Sequence, residues 1–167
     1  MIGKHSDYYM KMYAEGTDFQ NFVLKVLEEE FAWMIRAHDT DEEQVNIGEN
    51  SAGFEVKYDK RFRDTGNLWI ECQERSNVHI PYSPAGIFAN DNAWLFIMGD
   101  YKTLYIFSKK QLKVECEKRR KMINGMDTSV GFLLPIKEAD HLILHVIEIK
   151  ENLNSLKTDN IQQEEKL

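Results

Sequence analysis

The sequence predicts an α/β domain with a mixed or largely antiparallel sheet, and three observations carry that prediction. A helical apolar stripe runs from Thr17 to about Ala37, and period-two alternation replaces it between Val45 and Arg75. Short apolar runs broken by turn residues then fill most of the chain from Ala93 to Ile149.

The chain has 167 residues, 43% hydrophobic and 29% charged, enough to bury one ordinary core and too apolar for a wholly disordered protein. Its two cysteines, Cys72 and Cys116, form no C-x-x-C pair and no zinc-ligand spacing with histidine, so buried free thiols are expected. The opening MIGKHSDYYMKMY has no secretory apolar stretch, and no window approaches a membrane span; a cytoplasmic protein without membrane contact is expected. The net charge of −7 opposes nucleic-acid binding by the protein as a whole. Any such binding must use local bases, which gather at Lys57 to Arg63 and at Lys109 to Lys121.

In the first helix, Phe19, Phe22, Val23, Val26, Leu27, Phe31, Met34 and Ile35 recur at three- and four-residue spacing, with Thr17 or Asp18 as candidate cap. Phe54, Val56 and Tyr58 alternate with Glu55, Lys57 and Asp59. Leu68 and Ile70 alternate with Trp69, Glu71 and Gln73. These read as two strands joined by Lys60 to Asn67, and antiparallel pairing is the simplest arrangement. Ser76 to Asn92, with Pro81 and Pro84, reads as loop with a short helical turn. Ala93 to Met98 and Thr103 to Phe107 suit a hairpin about Gly99 to Lys102. Ser108 can cap a helix reaching about Arg120, and Val130 to Pro135 with Leu142 to Ile149 suggest a last strand pair. The polar stretch 152–167 reads as a frayed helix or disordered tail.

Two features point to chemistry. At 100° per residue, Glu30 falls within about 40° of Phe19, Val23, Val26 and Met34, on the apolar stripe. A carboxylate there requires a partner, a proton or a cation. Glu55 and Glu71 can stand side by side if their strands are neighbours, with Gln73 on the same face. Two close carboxylates repel unless a cation lies between them, which suits Mg²⁺ or Mn²⁺. Such an ion activates water and offsets charge on a phosphate. The competing reading is that Glu, Lys and Asp simply decorate the wet face of a strand.

Glu30, the segment Gly53-Phe-Glu-Val-Lys-Tyr-Asp59 and Thr65-Gly-Asn-Leu-Trp-Ile-Glu-Cys-Gln-Glu-Arg75 together resemble the PD-(D/E)XK nuclease superfamily. Ala85-Gly-Ile-Phe, Asp91-Asn-Ala-Trp-Leu-Phe-Ile and Tyr105-Ile-Phe-Ser-Lys-Lys resemble its small phage and mobile-element members. The resemblance spans roughly residues 18–115 and implies a restriction-endonuclease-like core, a mixed central β-sheet flanked by helices. It implies a nuclease domain over 17–150, with an N-terminal extension 1–16 and a tail 151–167. By position it makes Glu30, Glu55, Glu71 and Gln73 catalytic, with Gln73 replacing the lysine of E-x-K. Glu55, Asp59 and Glu71 become the metal ligands, with Glu55 and Asp59 competing for one place. Lys57, Arg61, Arg63 and Arg75 become the contacts to nucleic acid. The expected activity is Mg²⁺- or Mn²⁺-dependent hydrolysis of DNA by a phage or bacterial protein, with a homodimer implied by analogy. The alternative is an inactive nuclease-fold protein that binds a protein or nucleic acid, such as a phage inhibitor or adaptor. The missing lysine and the acidic charge favour it.

Overall fold

A computed structural model of the chain describes residues 3–38, 40, 42–43, 47–119 and 123–150. The expected polar tail lies outside the described residues. Among these residues the strands sort into two four-stranded sheets. Sheet I contains β1 (Phe54–Tyr58), β4 (Leu95–Gly99), β5 (Thr103–Ser108) and β8 (Ile143–Glu148), in that spatial order. Its β1 runs parallel to β4, while the β4/β5 and β5/β8 pairs are antiparallel, so this sheet is mixed. Sheet II is antiparallel throughout. Its spatial order is β3 (Ser83–Pro84), β2 (Asn67–Glu74), β7 (Ser129–Pro135) and β6 (Ile123–Met126).

The layers follow from side-chain alternation. Helix α1 (Gly3–Phe31) lays Phe19, Phe22, Val23, Val26 and Leu27 on one face of sheet I, against Phe54, Val56, Leu95, Ile97, Leu104, Ile106 and Ile147. The other face of sheet I carries Phe96, Met98 and Phe107. These pack on Leu68, Ile70 and Cys72 of β2 and on Phe132 and Leu134 of β7. Strand β4 is therefore covered on both sides, and its sequence Leu-Phe-Ile-Met-Gly is a continuous apolar run for that reason. Each of these side chains contributes about 1.5–3 kcal/mol when fully removed from water, so the two interfaces dominate stability.

Several sequence expectations hold: the β4/β5 hairpin, and helix α3 (Lys109–Lys118) with Ser108 accepting from the Gln111 amide. The loop after β2 contains a single 3₁₀ turn, Gly86–Phe88. Others need correction. Helix α1 begins near Gly3 rather than at Thr17, and the Thr17 hydroxyl donates back to the Tyr13 carbonyl inside the helix instead of capping it. Its early turns show no stripe because Met10, Met12 and Tyr13 are exposed and face no sheet. The helix stops at Phe31 rather than near Ala37, and Ala32 follows in the left-handed region at φ 54°. Met34, expected on the stripe, is 93% exposed.

The expected β1/β2 pair does not form. The turn of α2 (Phe62–Thr65) carries the chain out of sheet I, so β2 pairs with β3 and β7 while β1 pairs with β4. Nor do β7 and β8 pair with each other. The short helix α4 (Ile136–Ala139) separates them, and each joins a different sheet.

Sheet II depends on a close approach at Gly131, which faces Glu71 across the β2/β7 ladder. A Cβ there would stand 2.1 Å from the Ile70 carbonyl oxygen. Backbone is not displaced as easily as a flexible side-chain tip. The Gly131→Ala variant is expected to lose about 1–3 kcal/mol by overpacking. Urea denaturation should show this as a lower midpoint with an unchanged slope.

Candidate functional site

Strand β1 brings two charged side chains to the face of sheet I that looks toward sheet II. Phe54 and Val56 face α1, so Glu55 and Lys57 must face the other way, beside their ladder partners Phe96 and Met98. A charge placed in such an interface costs several kcal/mol unless paired. Glu55 is only 4% exposed, and two ammonium groups answer it. Lys57 Nζ lies 3.2 Å from Oε1, and Lys109 Nζ lies 3.1 Å from Oε2. Lys109 is itself buried and reaches Asp91 Oδ1 at 2.7 Å. Lys57 also stands 3.8 Å from Glu49 Oε1. Glu49, Glu55 and Asp91 thus share the ammonium groups of Lys57 and Lys109, an excess of negative charge.

Local structure fixes Glu49. Asn50, fully buried, donates from Nδ2 to the Phe54 carbonyl and accepts through Oδ1 from the Ala52 and Phe54 amides. Asn92 donates to the Asn50 carbonyl, closing this loop onto the segment that carries Asp91. Glu49 can then accept from the Val56 amide through Oε2 at 2.8 Å while its Oε1 faces Lys57.

Glu71, on β2 of sheet II, is near enough to Lys57 for their charges to interact. The β2/β7 ladder slips between Glu71 and Gln73. Ser129 donates to Glu71 Oε1 at 2.7 Å. Gly86, at φ 51°, lies so close that a Cβ would be 2.4 Å from the Glu71 carbonyl oxygen. Burial pushes the Glu71 carboxyl above its ordinary value, opposed by the Lys57 charge and the Ser129 hydrogen bond. Glu49 is pushed up likewise by burial, against Lys57. For Lys57 burial acts downward, but Glu55, Glu49 and Glu71 outweigh it and hold the ammonium form well above its usual range. Carboxylates from two sheets therefore act on one ammonium group.

Of the residues the sequence singled out, Glu55, Lys57 and Glu71 are brought into this neighbourhood, and others are not. Glu30 is exposed at the end of α1 and pairs with Lys150 at 3.7 Å instead of lying on the buried stripe. It sits on the α1 side of sheet I, so the sheet separates it from the Glu55 carboxylate. Asp59 accepts from the Arg61 amide through Oδ1 and from the Trp69 amide through Oδ2, thereby fixing the β1-to-β2 connection. Gln73 is exposed beside Pro84 and Val130. Arg63 is held by Asp100 and Thr103, and Arg75 by the Asp127 and Val78 carbonyls and the Tyr82 ring. Arg61 is exposed. Among the described residues no three His, Cys, Asp or Glu side chains are grouped closely enough to hold a metal ion as they stand.

Lys109, Asp91 and Glu49 were not anticipated as site residues. One signal was available: Lys109 opens α3, where the helix dipole disfavours a cation, so a lysine there calls for a carboxylate partner. Asp91 is hidden in turn-forming sequence, and Glu49 has no pattern around it.

No family model, no curated protein and no solved structure matches the chain. Among the described residues no helix is long and apolar enough to cross a membrane.

Two outcomes test this arrangement. Lys109→Met leaves the buried Glu55 and the half-buried Asp91 with one ammonium fewer and is expected to cost about 3–5 kcal/mol. Adding Glu55→Gln to that variant should restore part of the loss, and a double-mutant cycle in urea measures the coupling. The second outcome concerns pH. The folded pKa values of Glu49 and Glu71 are raised, so the fold binds these protons more tightly than the unfolded chain does. Their contribution is fully present below the ordinary value of 4.5 and is lost as pH rises through the folded values. Glu71→Gln should therefore gain stability relative to wild type as pH rises above the ordinary value of 4.5. A gap that narrows or reverses with rising pH would count against a strained Glu71.

Proposed function

We propose that the chain is a nuclease of PD-(D/E)XK type, with a restriction-endonuclease-like core, that hydrolyses phosphodiester bonds in DNA at the carboxylates around Lys57. The observation that supports this reading is their convergence. Glu49 and Glu55 contact the Lys57 ammonium at 3.8 and 3.2 Å, and Glu71 acts on the same charge from a separate sheet. Carboxylates gathered at a cost to folding are characteristic of sites kept for chemistry rather than stability.

The donor chemistry fits a hard divalent cation, since all three groups offer carboxylate oxygens. Lys57 now holds the cation position, and its side chain is 37% exposed, so it has room to swing toward solvent. Glu55 and Glu71 are the residues that would hold Mg²⁺ or Mn²⁺, with Glu49 beside them. When bound there, the ion supplies a more acidic water and offsets charge on the phosphate oxygens. The displaced Lys57 ammonium can then pair with the phosphate and take the part of the lysine that Gln73 lacks. Lys109 stays buried and holds Glu55 in place.

A second reading, an inactive nuclease-fold binding protein, draws on a different observation. Arg63 and Arg75 are engaged within the protein, which diminishes the basic surface expected to grip a phosphate backbone.

Titration calorimetry with Mn²⁺ and incubation with plasmid DNA separate the two readings. The nuclease reading expects Mn²⁺ binding that weakens at least about tenfold in Glu71→Ala, together with cleavage that this variant abolishes. Cleavage surviving Glu71→Ala removes the site. Absence of both Mn²⁺ binding and cleavage selects the binding protein.

A further inference from the structure

The chain's two cysteines, 44 residues apart in sequence, meet in space: Cys72 Sγ lies 3.6 Å from Cys116 Sγ. Cys72 belongs to the ladder slip next to Glu71, and its side chain is buried in the core shared by the two sheets. Cys116 is half-buried in the last turn of α3. A cavity of about 440 Å³ is lined by both cysteine residues together with Phe88, Val130 and Arg119. Small molecules therefore have a route to a pair of sulfurs that secondary structure already holds together. Arg119 also lines the cavity, its guanidinium held by Glu115 at 3.1 Å and by the Leu133 carbonyl at 3.2 Å.

We infer that Cys72 and Cys116 form a thiol-oxidation site, closed to an intramolecular disulfide by low-molecular-weight disulfides. Disulfide geometry requires an S–S separation of about 2.05 Å, so the sulfurs must approach by roughly 1.5 Å. Cys116 sits near the free end of a ten-residue helix, where such a movement is least opposed. The exchange balances as two displacements. The Cys116 thiol loses its proton, and its sulfur attacks one sulfur of the reagent, breaking the reagent's S–S bond and releasing one thiolate. The Cys72 thiol then loses its proton and attacks the Cys116 sulfur of the mixed disulfide, expelling the second thiolate. Two protein thiols are oxidised, and the reagent is reduced to two thiols that take up the two protons. Cys72 is 2% exposed, whereas Cys116 is half-buried. This order of attack follows from their accessibility: the reagent reaches Cys116 first, and the buried Cys72 meets an activated sulfur only after Cys116 has reacted.

The bond would tie β2, one residue from Glu71, to the helix that opens with Lys109. It would close a long loop and restrict the unfolded chain. The site is independent of phosphodiester chemistry, so its test does not depend on that reading.

Native protein is incubated with oxidised glutathione, quenched with a maleimide and examined by intact mass and peptide mapping. The expected product has lost two hydrogens, contains a peptide linking Cys72 to Cys116, and reverts with dithiothreitol. Its thermal midpoint should rise by about 5–10 °C over the reduced form. Cys72→Ala, which keeps the buried position apolar, should stop at the glutathione adduct on Cys116. Cys116→Ala should leave Cys72 at least about tenfold slower to react than Cys116 is in wild type. Circular dichroism of each variant first establishes that it folds. Wild-type protein that stops at a mixed disulfide, modifies both cysteines separately, or links only between chains overturns the inference.

Discussion

The buried ammonium of Lys109, held between Glu55 and Asp91, joins three separate segments of the chain. Glu55 lies on β1, Asp91 in the segment before β4, and Lys109 at the junction of β5 and α3. Removing any one partner would strand a charge in a region that water reaches poorly. The Lys109 amide also donates to the Trp94 carbonyl, so backbone and side chain together tie the start of α3 to the segment entering β4. Hydrophobic burial supplies the larger free energy, yet it is tolerant of small shifts. The ion pairs are directional, and so they fix the position of Glu55 relative to Asp91 and the start of α3.

What the sequence disclosed and what it concealed divide along the range of the interactions. The β4/β5 hairpin and the Ser108 cap are decided within a few residues by alternation, turn chemistry and a hydroxyl near an unpaired amide. They were legible. The pairing of β1 was not, because alternation is indifferent to which partner a strand chooses. Its partner β4 lies beyond an entire excursion through sheet II. Glu55 illustrates the same limit. Its alternation with Phe54 and Val56 resembles a wet strand face, but sheet II covers that face, and the buried one of its two lysine partners lies 54 residues away. Glu30 erred in the opposite sense. Helical phase placed it on the stripe, but α1 reaches its end there and the carboxylate opens to solvent beside Lys150.

Asp59 shows how a residue can satisfy a motif and still be occupied elsewhere. Both of its oxygens accept backbone amides, one from Arg61 and one from Trp69, and these bonds turn the chain from sheet I into sheet II. Without that turn Glu71 would not approach Lys57 from the opposing sheet. Asp59 thus influences the charged cluster by steering the backbone, whatever its carboxylate does in other states. Gly86 and Gly131 act similarly. Each permits a backbone approach at Glu71 that a Cβ would block, so the position of this carboxylate is set by the absence of two side chains.

A surplus of carboxylates beside Lys57 is hard to reconcile with selection for stability alone, because a fold gains nothing from gathering acids that burial pushes toward protonation. Apolar residues at Glu49 and Glu71 would fill the same space without desolvating charge. Lys57 offsets part of that cost, but from a partly exposed side chain that solvent can compete for. The cluster is therefore held together by a cation that is not itself locked in place. Lys109, buried, anchors Glu55 between itself and Lys57, whose side chain stays 37% exposed. The two cations thus differ in their part: one is locked between Glu55 and Asp91, and the other balances the remaining acids from a position that water reaches.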